Sequence, residues 1–316
     1  MGKLFTLDVD INDEDIIDFG FHAKHLEPEN LIIDWEEIDE ILGKDGCALK
    51  FMPEEKRANK EIVLSAVSQR GIALYYAAET LKADLDIAEA AISQDPLAWN
   101  FISEKLKVNR DFILRMVGKE VTSLYFADSK FKQDKELVFA AIAHDPYALA
   151  YADISLRSDR DIVVKAYRLR ASSLQFASKN LRSDRDFMRP LIIEYPYAFE
   201  FASEGLKSNR DFVKDIVSIA GRALEYADES LKADPEIVKL ALSSYRWALE
   251  YASSDLCDNR EFILEALPIA GQVLRYVSDR LKSDPLVVAE AIKYFPWTIE
   301  YINNDVSGVG LVKKDI

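Results

Sequence analysis

The chain has 316 residues, of which 49% are hydrophobic, and its formal net charge is −15 at pH 7. A surface of this sign repels phosphate backbones, which argues against nucleic acid as a partner and favours a protein or peptide, especially a basic one. Only two cysteines are present, Cys47 and Cys257, which argues against a disulfide framework and indicates a reducing compartment. No secretory h-region or membrane-length apolar run appears. We therefore expect no membrane span and a cytoplasmic protein, or one delivered into a host cytosol without a classical signal peptide.

The first part of the chain carries much of the negative charge, because residues 1–57 hold 16 acidic and 6 basic residues. Residues 1–33 show no repeat, and we expect them to form an acidic capping segment over the repeats that follow. His22 and His25 are one helical turn apart, but no third ligand has a matching spacing. We therefore predict neither a metal site nor a cofactor.

A repeat of 25 residues occupies residues 34–306. We count the Asp or Asn that opens each unit as position 0. This residue recurs without insertion at Asp34, Asn59, Asp84, Asn109, Asp134, Asp159, Asp184, Asn209, Asp234, Asn259 and Asp284. Position 17 is aromatic in all eleven units, at Phe51, Tyr76, Phe101, Phe126, Tyr151, Phe176, Phe201, Tyr226, Tyr251, Tyr276 and Tyr301. A fixed period of this length is typical of a solenoid.

Local chemistry predicts two helices in each unit. Asp or Asn at position 0 caps a longer helix, whose apolar residues fall at positions 3, 4, 7 and 8. At position 12, a glycine such as Gly71 would end this helix in a left-handed conformation, whereas a proline such as Pro96 would begin a second helix capped by Asp95. The second helix is shorter and carries the aromatic residue. The sequence thus predicts an all-α fold, an α-solenoid of eleven stacked 25-residue helix-turn-helix units, with pairing into 50-residue repeats as the alternative.

The best-matching segments are Ser173–Asp186 and Ala248–Ser253. They resemble a helical-repeat family of bacteria and protists that is known only as a domain of unknown function, with repeats of the type A-L-x-Y-A-S-x-x-L-K-x-D-R-E-V-V. The resemblance covers residues 34–306. It implies a helical fold and, in some relatives, a place among the secreted effectors of intracellular bacteria. It implies no catalytic residues.

Aromatic residues concentrate around position 12 in the second half of the array. These candidate binding residues are Tyr195, Tyr197, Tyr245, Trp247, Phe295 and Trp297. Because they recur at intervals of 50 residues, we expect them to line one edge of the solenoid, where aromatic side chains suit protein recognition. The alternative, which we favour, is that they pack between neighbouring units.

Charged residues also recur in register. The candidate acidic column at position 16 consists of Glu200, Glu225, Glu250 and Glu300, interrupted by Arg275. It would accept basic residues of a partner, although a simple solvated face is the more common meaning of such a pattern. Arginines follow several caps and are predicted to form salt bridges between units: Arg110, Arg160, Arg185, Arg210 and Arg260.

These features favour a non-enzymatic scaffold for protein–protein interaction, such as a bacterial effector or a toxin-neutralising protein. An enzyme is the first alternative, but no nucleophile elbow or phosphate loop is present, and His144 is the only histidine in the array. A nucleic-acid-binding repeat protein is the second, and it lacks the basic columns that such proteins use. Residues 307–316 are expected to form a C-terminal tail, and the oligomeric state is not predicted.

Overall fold

The structure is a computed structural model that describes residues 45–120 and 122–301. The predicted capping segment at 1–33, the first cap Asp34 and the tail at 307–316 lie outside the described residues. Within the described ranges every regular element is a helix, which confirms the all-α prediction.

Each unit begins with the long helix that the cap pattern predicts. The cap side chain accepts hydrogen bonds from the free N–H groups of the first turn, as Asp84 Oδ1 does from Asp86 N at 3.0 Å and from Ile87 N at 3.2 Å. In this unit the residues at positions 3, 4, 7 and 8 are at most 1% exposed. The long helices run over Lys60–Gln69, Leu85–Gln94, Arg110–Val117, Lys135–His144, Arg160–Leu169, Arg185–Glu194, Arg210–Ile219, Pro235–Ser244, Arg260–Ala266 and Pro285–Tyr294.

A middle helix follows, and most of these helices are 3₁₀-helices that cover positions 12–17. Where position 12 is proline, the preceding acid caps the helix as predicted, since Asp95 Oδ1 accepts a hydrogen bond from Leu97 N at 2.9 Å. The middle helices run over Gly46–Phe51, Gly71–Tyr76, Pro96–Phe101, Thr122–Phe126, Pro146–Tyr151, Ala171–Phe176, Pro196–Phe201, Gly221–Tyr226, Ala248–Tyr251, Val273–Tyr276 and Pro296–Tyr301. Two of them, Thr122–Phe126 and Val273–Tyr276, are α-helical.

The single shorter helix predicted for each unit is in fact two helices. Position 18 adopts an extended conformation, as at Ala77 with φ −67° and ψ 154°, and this ends the middle helix. Position 19 is often Ser or Asp and caps a separate short α-helix of four residues. The short helices are Glu54–Arg57, Glu79–Lys82, Glu104–Lys107, Ser129–Lys132, Ile154–Arg157, Lys179–Arg182, Glu204–Lys207, Glu229–Lys232, Ser254–Cys257 and Asp279–Lys282.

The predicted role of glycine at position 12 is wrong. Gly71 and Gly221 do not adopt a left-handed conformation; each is the first residue of a middle helix. They are needed because the next unit comes very close: a Cβ atom on Gly71 would collide with the carbonyl oxygen of Ala91, and one on Gly221 with that of Ala241. Glycine therefore permits contact between units rather than a special backbone turn.

Successive units stack on one another. Long helices pack against long helices, as Lys60–Gln69 does against Leu85–Gln94, and middle helices pack against middle helices. In most units the N–H of position 19 also donates to the carbonyl of position 23 in the preceding unit, as from Ser203 N to Arg182 O at 2.8 Å. The buried apolar residues form one continuous core along the array. The chain is therefore an α-solenoid, as predicted.

Ion pairs reinforce the stacking. The position-1 arginine binds the cap aspartate of the next unit between Arg110 and Asp134, Arg160 and Asp184, Arg210 and Asp234, and Arg260 and Asp284. The predicted inter-unit salt bridges are confirmed for these four arginines. The prediction is wrong for Arg185, because the next cap is the uncharged Asn209. Arg185 lies instead over the ring of Phe212, 5.4 Å from its centroid.

Candidate protein-binding surface

Position 13 places aromatic side chains on the exposed side of the middle helices. Tyr197 and Trp297 are 43% and 44% exposed, and Trp247 is half-buried. The rings also contact the next unit: the centroids of Tyr197 and Tyr226 are 5.9 Å apart, and those of Trp247 and Tyr276 are 6.3 Å apart. These side chains are therefore anchored at one side and open to solvent at the other.

Position 11 places the other three candidate aromatics at the end of the long helix. Tyr195 is 54% exposed and makes an edge-to-face contact with Tyr167 of the preceding unit. Tyr245 and Phe295 are half-buried, and each contacts an aromatic ring of its own unit. Three of the six rings, those of Tyr195, Tyr197 and Trp247, contact a ring of a neighbouring unit, as the packing interpretation predicts. Tyr195, Tyr197 and Trp297 stay exposed, and a role in recognition stays a prediction.

Sequence reasoning missed a set of aliphatic residues beside these rings. Leu169, Ile219 and Ile269 stand at position 10, at intervals of 50 residues, and are 50%, 51% and 36% exposed. They alternate along the stack with the aromatics of the intervening units. We name the combined set the apolar edge: Leu169, Tyr195, Ile219, Tyr245, Ile269 and Tyr294. The 50-residue spacing of the aliphatic residues was the signal that could have revealed it.

The earlier units carry polar residues at the equivalent place. Position 10 is occupied there by Gln69, Gln94, Lys119 and His144, which we name the polar edge. His144 is exposed, at the last residue of its helix. From the unit that begins with Asp159 onward, each unit has a large apolar residue at position 10 or position 11, although Glu194 and Ser244 still occupy position 10 in two of these units.

The glutamates of position 16 lie beside the aromatic rings. Glu200, Glu250 and Glu300 are exposed, as predicted, and Glu250 Oε2 accepts a hydrogen bond from Tyr276 Oη at 3.2 Å. Glu225 differs, because it is half-buried and its Oε2 lies 3.7 Å from Arg222 Nε. Three glutamates of this acidic column are therefore open to a partner, and the fourth already faces an arginine.

The tyrosines of position 17 carry perturbed hydroxyl groups. Burial, and then the charge of Glu225, raise the pKa of Tyr251 to about 12. Burial likewise raises the pKa of Tyr276, and the charge of Glu250 adds to the effect. These hydroxyls stay protonated at neutral pH and can donate hydrogen bonds.

Groups with chemical reactivity are scarce in the described part of the chain. No three His, Cys, Asp or Glu side chains group there as metal ligands. Burial raises the pKa of Cys257 to about 11, so its thiol is almost entirely protonated at neutral pH. None of the described helices combines the length and the apolar character that crossing a bilayer requires.

The fold and this surface define a helical-repeat protein of the α-solenoid class. The chain belongs to the family described as Domain of unknown function (DUF4116), whose model matches residues 34–82, 84–132, 134–182, 168–207, 184–232, 209–257 and 259–306. Most matches span two of the 25-residue units, which supports the paired, 50-residue repeat. The matches at 184–232 and 209–257 overlap and begin 25 residues apart, which agrees with an inner period of 25 residues.

No curated protein matches the chain, and no solved structure does.

Proposed function

We propose that the protein is a scaffold that binds another protein or peptide along the apolar edge and the adjacent acidic column. One observation carries the proposal: six consecutive units, from the one that opens with Asp159 onward, each have a large apolar side chain at position 10 or 11, of which five are exposed and Tyr245 is half-buried. Scattered exposed apolar residues are ordinary, whereas a contiguous set of them marks an interaction site. Aromatic anchors such as Tyr195 and Trp297 are the side chains that contribute most to protein interfaces.

The electrostatics of the surface favour a basic partner. Glu200, Glu250 and Glu300 lie open beside the rings, and the whole chain carries a net charge of −15. Apolar contacts along the edge would supply affinity, while the glutamates would steer a segment rich in Lys and Arg and fix its register. We therefore expect the partner segment to combine apolar and basic residues.

Two peptides of equal length and apolar content test the charge preference, one with Lys and Arg at the polar positions and the other with Asp and Glu. Fluorescence anisotropy should show binding of the basic peptide, which weakens as salt is raised because the charges are screened. The variant Glu250→Gln should weaken that binding. Equal affinity for both peptides would contradict the proposed role of the glutamates.

A photo-activatable cross-linker tests the location of the surface. It would be placed at Ile219, on the apolar edge, and in a matched variant at Gln94, on the polar edge. In a lysate of cells that express the protein, we expect a discrete cross-linked species from Ile219 and none from Gln94. Identical products from both positions would contradict a dedicated surface.

The finer roles stay predictions. A bacterial effector would be translocated into host cells, which a reporter fusion to the full chain tests. A toxin-neutralising protein would restore growth of cells that express its toxin. The enzyme and nucleic-acid-binding alternatives have no observation among the described residues that favours them over the scaffold.

A further inference from the structure

Basic residues at position 1 follow a rule within this array. Where the next cap is Asp, position 1 is a cation that binds it, as in the pairs Lys60–Asp84, Arg110–Asp134, Lys135–Asp159, Arg160–Asp184, Arg210–Asp234 and Arg260–Asp284. Where the next cap is Asn109 or Asn259, position 1 is uncharged, at Leu85 and Pro235. Among the described units, Arg185 is the exception, because it is a cation that faces Asn209.

A second rule concerns the short helices. An acid at position 20 commonly pairs with a lysine at position 23 of the same helix, as Glu104 does with Lys107 at 2.8 Å and Glu229 with Lys232 at 2.8 Å. This acid is absent from three successive units, where position 20 is Ser129, Ile154 and Lys179. Among the described short helices, only the one that ends at Arg182 has a cation at position 20. Arg182 therefore has a second cation, Lys179, in the place where most of the described short helices carry an acid.

The cations of these two neighbouring units meet in one cleft. It has a volume of about 620 Å³, and Lys179, Arg182 and Arg185 all line it. Arg182 is held in place, since its Nε donates to Ala177 O at 3.2 Å and its Nη1 to Phe201 O at 3.3 Å. The ring of Phe212 supports the guanidinium of Arg185. The cleft thus collects three cations, two of them positioned by other contacts.

The acids that the structure describes around the cleft are paired mainly with other cations, and of these acids Asp215 also attracts Arg185 electrostatically. Glu204 lines the cleft but binds Lys207 at 3.0 Å. Asp215 binds Arg189 through two hydrogen bonds of 2.6 and 3.1 Å. Asp211 is at position 2, and in two other units the acid at this position, Glu136 or Glu236, binds the arginine of the preceding unit. Asp211 forms no such ion pair with Arg185 within 4.0 Å. A local positive site therefore exists on an acidic protein.

We propose that this cleft binds a phosphate group. Two arginines and a lysine suit a dianionic oxyanion, because guanidinium groups donate paired hydrogen bonds to phosphate oxygens and the lysine adds a mobile charge. Ser203 also lines the cleft. Its hydroxyl makes no capping hydrogen bond, unlike that of Ser103, and is free to donate to the ligand. Gly205 leaves the cleft open, since a Cβ atom there would meet only Ser203 Oγ, at 3.9 Å.

Calorimetric titration of the full chain with pyrophosphate, in a phosphate-free buffer of low ionic strength, tests the proposal. Two variants place an acid against the arginines: Asn209→Asp opposite Arg185, and Lys179→Glu beside Arg182. Each should weaken pyrophosphate binding about tenfold or more, which corresponds to the loss of one charge-assisted contact. Their thermal midpoints should not fall, because Asp and Asn are equivalent caps and Lys179 is exposed.

The matched control is Asn259→Asp, which makes the same change at a cap that faces Pro235. It should leave pyrophosphate binding unchanged. Equal weakening by Asn259→Asp and Asn209→Asp would overturn the proposal, because the effect would then reflect net charge alone. The proposal would also be overturned if the wild-type chain bound neither pyrophosphate nor a phosphoserine peptide at millimolar concentration. Tighter binding of pyrophosphate than of the phosphopeptide would support a small-molecule source of the phosphate, and the reverse order a phosphorylated partner.

Discussion

The polar edge and the apolar edge occupy the same place on the same scaffold. Gln94 and Ile219 both end a ten-residue helix, and both helices bury apolar residues at positions 3, 4, 7 and 8. The interiors of the two halves are thus built from the same kinds of side chain, whereas their edges differ in polarity. Stacking constrains the buried positions in every unit, whereas position 10 varies, and some of its polar residues contact a neighbouring unit, as Gln94 does through Gly71 N and Lys119 through Glu89. The difference between the two edges therefore lies in exposed side chains and not in the core.

The largest expected effect concerns the shared core. Leu74 and Leu224 are equivalent residues at position 15, and neither is exposed. Leu74→Ala and Leu224→Ala should each lower the free energy of unfolding by ~2–5 kcal/mol, because each removes buried apolar contacts and leaves a cavity. Urea unfolding followed by circular dichroism measures both. A large loss from one and almost none from the other would show that the two halves do not share one kind of core.

Close approach between units should produce the next largest effect. Gly71→Ala and Gly221→Ala place a Cβ atom against a carbonyl oxygen of the next unit, and we expect a loss of ~1–3 kcal/mol from each. Gly118→Ala is the control, because its Cβ would have no neighbour nearer than 3.7 Å. That variant should be neutral or slightly more stable. If all three glycines tolerated alanine equally in a thermal melt, the account of position 12 would be wrong.

The ion pairs between units should contribute less, and equally in both halves. The hydrogen bond from Arg110 lowers the pKa of Asp134. Burial tends to raise the pKa of Asp284, but hydrogen bonds from Arg260 and from the helix N–H groups outweigh burial and lower this pKa. A depressed carboxyl pKa stabilises the fold above the unfolded value of about 3.9, and this contribution is lost as the pH falls through the folded value. Asp134→Asn and Asp284→Asn should each lower the thermal midpoint by only about 1–2 °C at neutral pH.

Once the pH has fallen below the folded pKa of these aspartates, the two variants should melt together with the wild-type chain, because the carboxyl groups are then protonated in the folded and the unfolded state. A difference in thermal midpoint that persists unchanged at acidic pH would mean that the cap geometry, rather than the charge, is responsible.

The smallest effect on stability is expected at the apolar edge. Ile219→Ser and Leu169→Ser change side chains that are about half exposed, so each should alter the free energy of unfolding by less than ~0.5 kcal/mol. Binding of an apolar fluorescent dye should fall in both variants, whereas Gln94→Ser on the polar edge should leave it unchanged. A strong destabilisation by Ile219→Ser would show that the edge belongs to the core.

The sequence predicts most of the fold because each structural requirement is repeated in every unit. The caps, the buried positions and the inter-unit arginines recur at fixed intervals, and only Arg185 departs from the predicted pairing. The division of the second helix into two was missed because the break at position 18 uses ordinary residues such as Ala77 in an extended conformation. The role of Gly71 was misassigned because its neighbour, the carbonyl of Ala91, is one unit away.

The candidate surface was predicted only in part. The size and the 50-residue spacing of aromatic residues such as Trp247 identified them as candidates for the surface. The pattern did not identify Ile219 and Ile269, because an aliphatic residue at the end of a helix fits a core position as readily as an exposed one. Whether such an aliphatic residue is exposed depends on how the next unit packs against it, and the sequence of a single unit does not determine that packing.

An edge exchange tests the central claim most directly. In a triple variant, Leu169→Gln, Ile219→Gln and Ile269→Gln would replace the aliphatic members of the apolar edge with the polar residue that the first half carries at Gln69 and Gln94. Affinity for the basic peptide should be measured together with the free energy of unfolding. We expect the fold to keep its stability while the affinity for the peptide falls but is not lost, because the aromatic residues of the edge remain; undiminished binding by the folded triple variant would contradict the assignment of the apolar edge as the binding surface.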